Sequence, residues 1–197
     1  MKTTVIEFKF IYFTYFAGGI ILMDKSAYSW IFLLLLTIFQ SCVKEEDEEG
    51  QDLEVGDKVP EFVVYSDDNQ TGKSFHSSAF IGKRSLLLFF DIHCSDCQRE
   101  MPVLEELWQE LQSHPGCQFV TIARQQGKEE TDEFWEKYTL SMPKYLDPDR
   151  SVYSLFAAST VPRIYLIDTY GVIRWMAMTK LDVTIEELKD LLLSLEI

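Results

Sequence analysis

Ser85-Leu86-Leu87-Leu88-Phe89-Phe90-Asp91-Ile92-His93-Cys94-Ser95-Asp96-Cys97-Gln98-Arg99-Glu100 is the stretch on which the fold turns. Its apolar run, Leu86 to Phe90, predicts a buried strand over 85–91. Its polar end leads into a helical pattern over 98–112, with Met101, Leu104, Leu107, Trp108 and Leu111 on one stripe and a kink expected at Pro102. Two thiols three positions apart are thus delivered by a strand to a helix N-terminus. Unpaired N–H groups and the helix dipole stabilise a thiolate there, so the placement suits a dithiol/disulfide redox site.

Outward from this stretch, strands and helices alternate, which predicts an α/β domain with a central mixed sheet flanked by helices, spanning 55–197. Short strands over 61–65 and 73–75, around the polar turn 66–72, predict an N-terminal β-hairpin. A strand over 117–123 and a helix over 129–138, with Phe134, Trp135 and Tyr138 inward, come next. An extended piece over 143–146 and a brief helix over 151–157 follow, then a hairpin of 163–168 with 172–178 across Thr169-Tyr170-Gly171. The last helix opens with the capping box Thr184-Ile185-Glu186-Glu187 and is expected to bury Ile185, Leu188, Leu191, Leu192 and Leu195.

With 197 residues, 47% of them hydrophobic, the chain can bury one sizeable core and hardly two, so one domain with an N-terminal appendage is the economical reading. The net charge is −14. Setting aside residues 1–41, which hold Lys2, Lys9 and Lys25 against Glu7 and Asp24, leaves 15 basic and 30 acidic side chains. Such a surface repels phosphate backbones, which argues against nucleic acid as a partner. The four cysteines, at 42, 94, 97 and 117, do not form the dense framework of a small disulfide-stapled domain and need separate explanations.

Residues 1–41 read as an address. The apolar run Trp30 to Phe39 has the length of a signal-peptide core rather than the ~20 residues of a membrane span. It ends at Gln40-Ser41-Cys42, and a small residue followed by Cys resembles a bacterial lipobox, implying cleavage before Cys42 and a lipid on its thiol. An uncleaved anchor is the competing reading. Glu7 and Lys9 interrupt the earlier apolar residues, so translation is expected to begin at Met23, the alternative being a first membrane segment over 10–23. Residues 42–54, dominated by Val43-Lys44-Glu45-Glu46-Asp47-Glu48-Glu49, carry too much like charge to collapse and read as a tether. A Lys followed by acidic residues behind a lipidated Cys also resembles a surface-export signal of some Gram-negative bacteria, with a plain solvated linker as the alternative.

A Cys-x-x-Cys pair is also half of a zinc site, and His114-Pro115-Gly116-Cys117 offers a second half. If 98–113 is helical it rises about 24 Å, which separates the two pairs and argues against metal. Three further features suit redox chemistry. Glu100 lies one helical turn beyond Cys97, where a carboxyl perturbs a thiol's titration, although a solvated helix surface uses Glu equally well. Pro102 bends the helix, and Val161-Pro162 directly precedes a strand, where a cis bond would expose the Val161 backbone to a docking thiol or peptide.

Cys94-x-x-Cys97-x-x-Glu100-x-Pro102, preceded by Leu-Leu-Leu-Phe-Phe and followed by Thr160-Val161-Pro162-Arg163-Ile164-Tyr165-Leu166-Ile167-Asp168-x-x-Gly171-x-Ile173, resembles the thioredoxin-like proteins of the TlpA/ResA type. The similarity runs from about Val55 to the C-terminus. It implies a thioredoxin-like fold and a membrane-tethered thiol-disulfide oxidoreductase outside the cytoplasm, without a cofactor, acting as a reductant of protein disulfides and recharged by a membrane electron donor. The resemblance also implies that Cys94 attacks, Cys97 resolves, Glu100 tunes the pair and Pro162 is the cis-proline beside them. With a lipid on Cys42, the expected location is the envelope of a Gram-negative bacterium.

The chain departs from that family in three places. His93 stands where the family usually has Trp, Leu88 replaces an Asn or Asp and removes one candidate proton relay, and Asp96 replaces a Pro. Asp96 disfavours a thiolate while a protonated His93 favours it, so His93, beside the docking surface of Val161, is expected to make Cys94 reactivity depend on pH between about 5 and 8. Rival functions fit less well. Peroxidatic sites place Thr three and Pro seven residues before the reactive Cys, where this chain has Asp91 and Leu87. Copper carriers on the same fold use Cys-x-x-x-Cys and a downstream His, and no His follows His114. A redox-inert binding lipoprotein would hold a Cys94–Cys97 bond that resists reductants. Cys117 reads as a small buried residue at a strand start.

Overall fold

The computed structural model describes residues 52–195, and the apolar run Leu86 to Phe90 forms the middle of its sheet. In chain order the strands are β1 (Val63–Tyr65), β2 (Ser74–His76), β3 (Arg84–Phe90), β4 (Cys117–Arg124), β5 (Lys144–Asp147), β6 (Arg163–Ile167) and β7 (Ile173–Met178). The helices are α1 (Ser95–Leu111), α2 (Lys128–Lys137) and α3 (Ile185–Ser194). Among the described residues the strands lie in the order β2-β1-β5-β4-β3-β6-β7.

The central strand explains itself by burial. Every residue from Leu86 to Phe90 is at most 1% exposed, as a strand covered on both faces requires. Successive side chains face opposite ways: the Phe89 ring meets Tyr153 and Phe156 at 5.3 and 4.9 Å, while Phe90 meets Phe134 and Trp135 at 6.0 and 5.3 Å. β3 runs parallel to β4 and antiparallel to β6, with Phe90 opposite Ala123 and Phe89 opposite Arg163. The chain leaving β3 and the chain entering β6 therefore meet at one end of the sheet. This is the end at which the dithiol sits.

The expected hairpins form. Val63, Val64 and Tyr65 pair with His76, Phe75 and Ser74, and β1 continues the sheet through Tyr65 opposite Leu146. In the β6–β7 turn Gly171 has φ +77, a conformation open to glycine at no steric cost. The capping box at α3 is complete: Thr184 Oγ1 accepts the Glu187 N–H at 3.2 Å and Glu187 Oε2 accepts the Thr184 N–H at 2.8 Å.

Several boundaries and faces differ from expectation. α1 starts at Ser95 rather than residue 98, because Cys94 acts as its N-cap, with extended backbone and a sulfur that accepts the Cys97 N–H. Cys97 thereby falls inside the first turn. Pro102 is exposed inside the helix and removes the N–H that would have bonded to the Gln98 carbonyl. Only a 3-10 turn at Tyr153–Leu155 forms within 151–157, and the Asp147 carboxylate takes the Val152 and Tyr153 N–H groups at 3.1 and 2.7 Å. The α3 stripe is narrower than expected, with Leu188 and Leu192 buried and Ile185, Leu191 and Leu195 half-buried at its margins. Asp52 and Leu53, read as the end of the tether, are fastened to the domain: Leu53 N–H donates to the Phe156 carbonyl at 2.8 Å and Asp52 accepts the Ala158 N–H at 2.7 Å.

Candidate active site

The site grows from the turn that ends β3. The Cys94 N–H donates to the Asp91 carbonyl at 3.1 Å, and the His93 N–H donates to Asp91 Oδ1 at 2.8 Å, so Asp91 folds the chain back toward the helix. Gln98 Nε2 donates to the Ile92 carbonyl at 2.8 Å and closes the turn from the helix side. Cys94 then sits at the N-cap of α1, half-buried, with its sulfur 3.4 Å from the Cys97 N–H. An N–H aimed at the sulfur and the positive end of the helix dipole both favour a thiolate at this position.

Across the site, the Cys94 S–H donates to the Val161 carbonyl at 3.4 Å, and the Val161–Pro162 bond is cis. Four of the residues singled out in the sequence, Cys94, Cys97, Val161 and Pro162, are thus brought together from two segments of the chain. Cys97 is 1% exposed. Burial pushes its thiol well above the usual range, and the neighbouring Cys94 and the Asp91 carboxylate push the same way against the Asp91 backbone N–H. The two sulfurs are therefore unlike: Cys94 is half-buried at the helix N-cap, whereas Cys97 is sealed and burial favours its protonated form. That asymmetry suits sequential attack, in which Cys97 acts only after Cys94 has been engaged.

Glu100 lies on the same helix, 7% exposed, and its Oε1 accepts from Arg99 Nε at 3.2 Å. The other end of the Arg99 guanidinium pairs with Asp96 at 2.9 Å. The negative charge that the sequence places between the two thiols is thus partly neutralised by a neighbour one turn away. His93 is exposed. The two halves of the possible zinc motif lie at opposite ends of α1, with Cys117 at the start of β4, and no group of three or more His, Cys, Asp or Glu able to hold a metal ion occurs among the described residues. Cys117 is half-buried rather than sealed, and burial raises its thiol against the opposing pull of Arg84 and Lys83. Cys42, Met23 and the rest of the address lie outside the described residues.

Three residues, Asp91, Arg124 and Arg163, were not singled out as site residues in the sequence. Asp91 is the carboxylate that acts on Cys97, and Arg124 at the end of the parallel strand β4 pairs with it at 3.5 Å while lying over the Tyr153 ring at 5.0 Å. Its signal was an acidic residue terminating an apolar strand three positions before the first Cys. Arg163, 2% exposed, grips the carbonyls of Ser159 and Thr160 behind Val161. A charged residue opening a buried strand was its only trace.

The model of the AhpC/TSA family matches residues 55–176. Thiol-disulfide oxidoreductase ResA of Geobacillus thermodenitrificans is 27% identical over 132 residues, covering 66% of this chain and 74% of that protein. The thioredoxin domain of a thiol-disulfide oxidoreductase from Bacteroides vulgatus superposes with a TM-score of 0.59 at 21% identity, over 71% of this chain and 96% of that one. A secreted Mycobacterium tuberculosis disulfide oxidoreductase does so with a TM-score of 0.57 at 20% identity, over 68% and 96%. The fold is thioredoxin-like.

Proposed function

The chain belongs to the AhpC/TSA family, and from that membership and the geometry of its dithiol we propose that it is a thiol-disulfide oxidoreductase acting on protein disulfides. One observation carries the reading: a half-buried Cys94 at a helix N-cap whose sulfur lies within hydrogen-bond reach of both the Cys97 N–H and the Val161 carbonyl.

In the reductive direction, the Cys94 thiolate attacks one sulfur of a substrate disulfide. A Cys94–substrate bond forms, the substrate S–S bond breaks, and the departing thiolate takes a proton. The extended substrate backbone docks beside Val161 and Pro162, with His93 at the rim. Cys97 then loses its proton and attacks the Cys94 sulfur; the Cys94–Cys97 bond forms and the second substrate thiol leaves. Two electrons have passed from the dithiol to the substrate, so turnover needs a further thiol donor, supplied from the membrane. Glu100 tunes the pair. Burial holds the proton on Cys97, so resolution requires that proton to be removed.

The protein acts outside the cytoplasm, and the pattern of its first 54 residues supports a finer location. Translation starts at Met23 and residues 23–41 direct export; Cys42 carries the lipid; and the acidic residues behind it tether the domain to a Gram-negative envelope membrane. The test is capture in living cells. Cys97→Ser accumulates mixed disulfides with natural partners that mass spectrometry identifies, and Cys94→Ser does not. Equal trapping by the two variants overturns the roles assigned here.

A further inference from the structure

The loop that carries Val161 is held from behind by a knot of hydrogen bonds. Arg163 Nε donates to the carbonyls of Ser159 and Thr160 at 3.1 and 3.3 Å, and its Nη2 donates to Ser159 at 3.0 Å. The Tyr153 hydroxyl shares its proton between the same two carbonyls at 2.5 and 2.6 Å. Thr160, a β-branched residue, has φ +76, a conformation that persists only where surrounding contacts over-determine it. Those contacts are the knot.

The knot has a charge at its centre. Arg163 is 2% exposed, and a buried guanidinium without a counter-ion is costly. Its carboxylate partner is Asp52, which bonds Nη2 and also accepts the Ala158 N–H at 2.7 Å, the first residue of the same loop. That N–H, against the opposing effect of burial and together with Arg163, holds the Asp52 carboxyl below its usual range. An unbroken series of contacts therefore runs from Asp52 through Arg163 to the Thr160 carbonyl, and from the adjoining Val161 carbonyl to Cys94.

We propose that Asp52 and Arg163 are a positioning pair for substrate docking: the residue at the end of the acidic segment sets the loop against which the mixed disulfide forms. The inference rests on the reading that Cys94 exchanges disulfides beside Val161. Neither side chain is given a part in the bond-making steps. Their work is to fix the backbone of Ser159 to Val161 so that a partner's extended chain meets a preformed surface.

The experiment uses the full chain with insulin as the disulfide substrate and dithiothreitol as regenerating thiol, its direct reaction subtracted. Asp52→Asn is expected to raise KM about tenfold, the worth of one charge-assisted hydrogen bond, with kcat within about twofold. Amide exchange at Thr160 and Val161 accelerates by about the same factor, whereas alkylation of Cys94 by iodoacetamide, which needs no docking, stays within about twofold. Asp52→Glu restores part of the KM. Tyr153→Phe, which loosens the knot without touching its charge, raises KM in the same direction and carries the test should Asp52→Asn fail to fold. Unchanged KM and exchange in the folded variants, or a lower melting temperature with unchanged KM, overturns the proposal. A wild-type chain that does not reduce insulin overturns the oxidoreductase reading instead, and the exchange measurement still judges the knot.

Discussion

Replacing Glu105 with Gln tests how the helix that carries Cys97 is anchored. Glu105 is 9% exposed on the buried side of α1, and its carboxylate accepts the Ser141 N–H at 2.9 Å, the Ser141 hydroxyl at 2.6 Å, the Met142 N–H at 3.1 Å and Gln109 Nε2 at 2.6 Å. Ser141 and Gln109 are exposed and can turn to water, whereas Met142 is buried and cannot. Counting the Met142 bond in full and the Ser141 N–H in part, loss of the charge costs about 2 kcal/mol at pH 7. Urea unfolding followed by tryptophan fluorescence should show this as a lower midpoint at unchanged slope.

The same substitution has a pH signature. Burial pushes the Glu105 carboxyl up, but the bonds from Ser141, Gln109 and Met142 outweigh it and leave it below its usual value. A carboxyl depressed in the folded state contributes stability above its unfolded pKa of about 4.3 and loses that contribution as pH falls through the folded value. The gap between wild type and Glu105→Gln is therefore expected to be full at pH 7 and to close in acid below about pH 4. A cost under about 0.5 kcal/mol, or a gap that does not change from neutral pH into acid, would refute the reasoning.

Asp91→Asn removes a negative charge that pushes the Cys97 thiol up, so in a Cys94→Ser background the thiolate absorbance of Cys97 should rise at lower pH than with Asp91 present; coincident titrations would show that burial alone sets this thiol. His93→Ala is expected to change the pH profile of Cys94 alkylation between about pH 5 and 8, and superimposable profiles would remove His93 from the site. Thr184→Ala breaks the capping box of α3 and should cost about 1 kcal/mol in chemical denaturation, with dithiol reactivity unchanged.

Much of the site was legible in the chain because its parts are local. A strand that must be buried on both faces reads as an apolar run, a helix start reads through its caps, and two thiols on one turn read as a pair. The family motif, fold class and the two hairpins follow from such short-range patterns, and Thr184 with Glu187 is the plainest case. Burial margins were harder, since Leu191 and Leu188 are the same residue type and differ only in what the sheet sets against them.

What the amino-acid order settled alone was the delivery of Cys94 and Cys97 to a helix start, since strand, turn and cap lie within about one dozen consecutive residues. Tertiary structure decided which charges meet that dithiol. Asp91 and Arg124 are neighbours because β3 and β4 run parallel and end together, and Asp52 reaches Arg163 because the chain before β1 packs beside the loop entering β6. Charge pairs across 33 and 111 positions leave no periodicity in a sequence, because the distance between them is set by the sheet and not by the chain.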